Sequence, residues 1–311
     1  MKSSNILLSI VAAVAMTFGL STSSVQGQGS CAGDVNGDHV VDGADLAILL
    51  GNWGQCPVVV PAWATLLEAA PDPAVVTDAN LRAAIVASGF AWRVLDNAAN
   101  IEMLLVPGGT FTMGCSPGDA ECGGGESPAH QVTLTNAFYM GKTEVTQAQW
   151  QATMGSNPSY FSGQPNNPVE QVSWNMIQGF NTVTGLRLPT EAEWEYACRA
   201  ATTTARYGVL NDIAWYVGNA GSTTHAVATK LPNALGLYDT LGNVWEWCQD
   251  WYEPYSLGSV TNPTGPATGS YRLLRGGDWV NLSDYCRGSQ RYYGYPYYAN
   301  YFVGFRAVRA P

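Results

Sequence analysis

The residues best suited to chemistry lie in Asn233 to Tyr252, NALGLYDTLGNVWEWCQDWY. Trp245, Trp247 and Trp251 are threaded there with Asp239, Glu246 and Asp250, and the loop formers Asn233 and Gly236 open the run. Aromatics bring apolar area that needs partners, and buried carboxylates need a cation or several donors. The mixture reads as neither an ordinary strand nor an amphipathic helix. A loop folded on its carboxylates around a hard cation, with the indoles packed beneath, meets both demands. The alternative is that the acids pair only with arginines and backbone donors.

A second oxygen-rich stretch spans residues 31–56, CAGDVNGDHVVDGADLAILLGNWGQC. Asp34, Asn36, Asp38, Asp42 and Asp45 are spaced as the side-chain ligands of a calcium loop, and Val40 offers its carbonyl between them. That ladder feeds a helix, here Ala44 to Leu50. A solvated acidic turn without metal is the alternative. The segment resembles one half of a bacterial dockerin repeat, with His39 where the sharp turn prefers glycine and no second repeat. Cys31 and Cys56 would staple the unit, since one short helix buries little core.

Bulk composition narrows the classes. Net charge is −10 and only 12% of residues are charged, which argues against nucleic acid or an anionic membrane as partner. The 34 glycines and 11 tryptophans are high for 311 residues and suit a loop-rich fold held by aromatic packing. His39, His130 and His225 do not sit at metal-ligand spacing, so a histidine-based iron or zinc site is not expected. Lys2 and the apolar run Ile6 to Leu20 read as a secretory signal over residues 1–27, with cleavage after Gly27 and no integral span in the mature chain. Export to the cell surface or medium means an oxidising compartment. The seven cysteines then leave at least one unpaired or bonded between chains.

Further elements must position these groups. Residues 57–100 read as a connector with a helix from Thr77 to Val94, capped by Thr77 or Asp78 and weakened by Gly89. Residues 101–311 form the main domain. It opens on an apolar strand, IEMLLV, a tight turn at Gly108 and Gly109, and a second strand through Phe111 and Met113. Cys115 and Cys122 flank a glycine-rich acidic loop and are expected to bridge each other. Gln131 to Thr135 alternates as a strand. Thr146 with Gln149, and Thr190 with Glu193, are capping boxes launching helices. Ser173 caps a third helix, and Gly155 and Gly185 stop the first and third. The tail reads as strands around a loop crowded with Tyr292, Tyr293, Tyr295, Tyr297, Tyr298 and Tyr301. Those tyrosines would form either a ligand-facing patch or a cap over the core.

The order MLLVPGGTFTMG, KTEVTQAQW, NPVEQVSW, LRLPTEAEWEYACR, GLYDTLGNVWEWCQDWY, LLRGGDWVN and GFRAVR, from about Glu102 to Ala310, resembles the formylglycine-generating enzyme family, the sulfatase-modifying factors. The resemblance implies an α+β, loop-rich variant of the C-type-lectin-like fold, with small twisted antiparallel sheets and short helices. It implies an oxidase that converts a sulfatase cysteine to formylglycine with oxygen, on one copper ion held by two thiols. Asn281 stands at the family's first thiol position, and Cys286 lies five residues on. By spacing Cys286 is the second thiol. By its flanks, CRGSQR, it is a later family cysteine that pairs with Cys198 of EWEYAC, and this second assignment is favoured. Either way no thiolate pair remains for copper, since an amide does not replace a thiolate on Cu(I). The family's calcium loop carries over onto Asp239, the carbonyls of Gly242 and Val244, and Glu246. The family's other calcium site falls on TTHAVATK, which has no matching acids. The reading that results is an exported, calcium-stabilised binding module for a protein or glycan, with formylglycine-generating oxidation as the alternative.

Overall fold

The computed structural model describes residues 58–311. The signal segment and the dockerin-like loop (Cys31, Asp34, Asn36, Asp38, Val40, Asp42, Asp45 and Cys56) lie outside the described residues.

Three small sheets carry the chain. The first is ordered β1 (Ala64–Glu68), β2 (Arg93–Asp96), β3 (Ile101–Val106), β6 (Phe138–Gly141) and β12 (Val308–Arg309), antiparallel throughout. The second pairs β4 (Gly109–Met113) with β5 (His130–Leu134), and β5 in parallel with β8 (Val260–Thr261). The third runs β10 (Arg291–Gly294), β9 (Arg272–Arg275), β7 (Trp245–Trp251) and β11 (Val303–Gly304), the last pair being parallel. The sheets are therefore mixed rather than purely antiparallel. No helix among the described residues is long and apolar enough to cross a membrane.

Short helices sit where local signals put them. Helix α1 (Ala79–Ala87) starts on Asp78, whose carboxylate accepts from Asn80 and Leu81 amides. It ends well short of Val94, because Gly89 turns left-handed at φ +74° and the chain leaves as β2. Helix α2 (Gln147–Met154) begins with the Thr146–Gln149 capping box, and α3 (Trp174–Thr184) on the Ser173 hydroxyl. Helix α4 (Glu191–Arg199) uses the Thr190–Glu193 box. The four-residue helix α5 (Leu210–Ile213) is the sole helix described between α4 and β7.

The core joins these pieces through aromatics. Trp150 of α2 stacks on Phe180 of α3 at 5.5 Å, and Phe305 meets both edge-on. The WEWCQDW segment differs from the expected loop: it is β7, an inner strand of the third sheet, interrupted between Trp247 and Trp251. Pairing satisfies both of its edges, and elements packed on its faces bury most of its side chains, so its acids face protein instead of solvent.

Candidate functional site

The turn entering β7 holds the acidic constellation. Asp239, Gly242 and Asn243 all have positive φ, at +53°, +81° and +59°. Asp and Asn tolerate that region, and glycine is needed at 242, where a Cβ would lie 2.3 Å from the Trp215 carbonyl. The curl folds the Asp239 carboxylate back on the chain. One oxygen accepts from the Ala228 amide at 2.7 Å, and the other is buried with no partner among the described residues.

Glu246, on β7, is committed to protein donors. It accepts from Arg306 Nη2 at 2.8 Å and from the Trp194 indole at 2.7 Å. The arginine alternative is thus realised for this residue. Sequence reasoning missed two partners. Glu144, buried beside the turn, accepts from the Asn243 amide at 3.0 Å and from the Val244 N–H at 3.3 Å. Arg306, fully buried in GFRAVR, also donates to the Gly141 and Tyr238 carbonyls. The sequence signal for Arg306 was an ion between apolar neighbours in GFRAVR; Glu144, in the polar stretch KTEVTQ, gave none.

Three buried carboxyls therefore share one guanidinium. Burial, then repulsion from Asp239 and Glu246, pushes the Glu144 carboxyl well up. Burial raises Asp239 to about 6. Hard oxygens, an unpartnered Asp239 oxygen and surplus negative charge fit a divalent cation in type and charge. At the far end of β7, Asp250 accepts from the Glu191 N–H at 2.9 Å, at the start of α4. Burial and the nearby Glu191 raise it to about 8.

The sulfur chemistry is arranged differently from the expectation. Cys115 and Cys122 are bonded. Cys198, Cys248 and Cys286 are free and buried, so the expected Cys198–Cys286 bond is not formed. The two thiols lie in one apolar cluster with Trp194 and Leu241. Cys198 Sγ is directed at the Thr240 carbonyl, 3.9 Å away, while Cys286 Sγ packs against Gly277. Burial pushes both thiols up to about 12 and the Cys248 thiol well up too. Asn281 sits in a turn on Asp278, whose carboxylate accepts from the Val280 and Asn281 amides at 2.7 and 2.8 Å. The Asp119, Cys122 and Glu126 group could in type hold a cation, but Cys122 is spent in the disulfide and Arg287 donates to both acids at 2.9 and 2.7 Å.

The tyrosines divide between the two expected roles. Tyr298 packs against the core. Tyr292, Tyr293, Tyr295, Tyr297 and Tyr301 are exposed, with Tyr297 the most open at 70%. Tyr271 joins Tyr293 and Tyr295 at 4.9 and 4.6 Å. The histidines stay apart in role: His130 packs on Tyr255 and His225 stacks on Trp215.

Small mixed sheets, short capped helices and long ordered loops around one turn define a loop-rich variant of the C-type-lectin-like fold. The model of the family described as "Sulfatase-modifying factor enzyme 1-like domain" matches residues 93–311, and the chain belongs to that family. It is 31% identical over 250 residues to the formylglycine-generating enzyme of Streptomyces coelicolor, covering 58% of this chain and 79% of that one. It is 34% identical over 240 residues to the serine/threonine-protein kinase pkn1 of Chlamydia pneumoniae, covering 67% of this chain but only 38% of that protein. Among solved structures, Treponema denticola variable protein 1 superposes with a TM-score of 0.62 at 32% identity, over 68% of this chain and 95% of that one.

Proposed function

We propose that this chain is an exported binding module on the sulfatase-modifying-factor scaffold, pinned by calcium and without the family's oxidase chemistry. One observation carries the reading. Asn281, an amide, stands at the family's first copper-thiol position; Cys286 is the second by spacing or a later family cysteine by its flanks, and burial holds its thiol protonated, so on either count no thiolate pair stands there. Copper(I) binding needs thiolates, so these residues do not fit the ion and no oxidative step is drawn through them. The exposed tyrosines supply rigid amphipathic contact area instead. Titrating the reduced protein with Cu(I) and assaying a sulfatase-motif peptide is expected to give neither stoichiometric copper nor aldehyde. Tight copper with aldehyde formation would overturn the reading.

Calcium would be held by Asp239 and the Gly242 and Val244 carbonyls, with Glu246, the remaining ligand that the resemblance implies, engaged by Arg306 and Trp194. It would supply positive charge where three acids share one arginine. Without it, Asp239, Asp278 and Asp250, raised to about 6, 7 and 8, keep protons in the folded chain that the unfolded chain releases near pH 4. Raised carboxyls favour the fold below the unfolded value, and that contribution is lost as pH climbs through the folded values. In chelator, the melting temperature is therefore expected to fall from pH 4 to pH 8. Added calcium is expected to raise it at pH 8 far more than at pH 4, and Asp239→Asn to shrink that gain. A calcium-independent melting temperature at pH 8 would remove the ion from this site.

A further inference from the structure

Two uncharged runs meet on one face of the molecule. No Asp, Glu, Lys or Arg occurs between Glu144 and Glu170, or between Arg291 and Arg306. In a chain carrying −10 overall, such a face recruits neither cations nor anions by charge. The runs touch through rings: Tyr160 lies 5.6 Å and Phe161 6.3 Å from Tyr301, and Trp279, outside both runs, packs 5.4 Å from Phe161. Tyr160 is 65% exposed.

Beside these rings, a cleft of about 500 Å³ opens between α2 and the loop that wraps its start. Its polar lining is four amides, Gln147, Gln151, Asn157 and Gln164. The wall is built, not incidental. Buried Gln147 donates to the Phe161 carbonyl at 3.0 Å and accepts from Asn157 at 2.9 Å, fixing the loop on the helix. Pro165 and Asn167 carbonyls accept the first α2 amides. Gln151 and Gln164 are exposed, and neither side chain has a hydrogen-bond partner among the described residues. Beneath the turn, buried Glu170 accepts from the Phe161 N–H at 2.8 Å while its other oxygen has no partner. Burial pushes this carboxyl up, toward its neutral form.

We propose that the amide cleft beside α2, continued by the Tyr160–Tyr301 ring face, binds a neutral polysaccharide chain. The inference rests on the binding-module reading and names its ligand class. An amide both donates and accepts, which matches sugar hydroxyls that do the same. A phenol ring offers an apolar face to the C–H side of a pyranose, with a hydroxyl at its edge. A proline-rich peptide is the rival occupant, but its polyproline helix repeats about every 9 Å. This cleft is lined by amides rather than by rings at that spacing; Tyr295 and Tyr297, parallel at 5.2 Å, and Tyr271, 4.6 Å from Tyr295, form a second ring cluster.

The test is affinity electrophoresis of the full chain through gels of xyloglucan, galactomannan or dextran, with polygalacturonate and chondroitin sulfate as charged controls. Retardation is expected in at least one neutral gel and in neither charged one. Tyr160→Ala, and Gln151→Ala with Gln164→Ala, are expected to weaken it about tenfold each, with unchanged melting temperature because these residues are exposed. Free migration in all three neutral gels, equal retardation in the charged gels, or retardation untouched by the substitutions would overturn the proposal. So would a polyproline peptide that binds the same face. Aldehyde formation on a sulfatase-motif peptide would instead sink the binding-module reading itself; failure in the gels without aldehyde sinks only the saccharide.

Discussion

Replacing Arg306 by leucine is expected to cost about 3–5 kcal/mol, the range for breaking a buried ion pair from one side. The guanidinium is fully buried and makes its bonds to Glu246 and to the Gly141 and Tyr238 carbonyls. Without it, and with calcium chelated, Glu144, Asp239 and Glu246 face one another with no buried cation beside them, and two carbonyls lose their donor. For a domain of this size the loss corresponds to a melting temperature lower by roughly 6–20 °C. Thermal unfolding at pH 7 followed by circular dichroism reads it. A loss under about 1 kcal/mol would mean that another cation already balances these acids.

Trp247→Ala is expected to be nearly as damaging, at about 3–5 kcal/mol. The indole is fully buried, donates to the Val172 carbonyl at 3.0 Å, and lies against Gly294, where a Cβ would come within 3.0 Å. Truncation leaves a cavity at the centre of the third sheet and strips Val172 of its donor. Trp251→Ala supplies the contrast. That indole is half-buried over the Arg272 guanidinium, 3.5 Å from the ring centre, and such a contact is worth about 0.5–1 kcal/mol near the surface. Denaturant melts of the two variants should therefore separate clearly. Equal losses would show that the strand is not packed as described.

The starts of the helices were legible because their causes are local. Thr146 with Gln149, Ser173, and Thr190 with Glu193 satisfy the first amides of their own helices from within three residues. The strand Ile101–Val106 and the Cys115–Cys122 bond are likewise short-range matters of apolar run and loop length. The motif order from Glu102 to Ala310 placed the chain in its family, because those motifs encode the turns and caps of the scaffold.

Strand β7 was harder to see. Its alternation puts tryptophans on one side and Glu246, Cys248 and Asp250 on the other. Acids on one face ordinarily signal solvent or a metal. Here that face is buried against α4, where Trp194 and the Glu191 N–H receive the carboxylates. Nothing within the segment announces partners more than fifty residues away.

By itself, then, the sequence determined where helices begin, which family of scaffold the turns build, and that the tail is rich in exposed-type aromatics. Only the tertiary structure decided which acids meet which cations, that Cys198 and Cys286 stay free within one buried cluster, and that two uncharged runs converge at Tyr160 and Tyr301. The division has one physical reason. Caps and turns are satisfied by groups a few residues apart, whereas a buried charge, a thiol or a binding face gets its character from neighbours that the chain must fold to bring near.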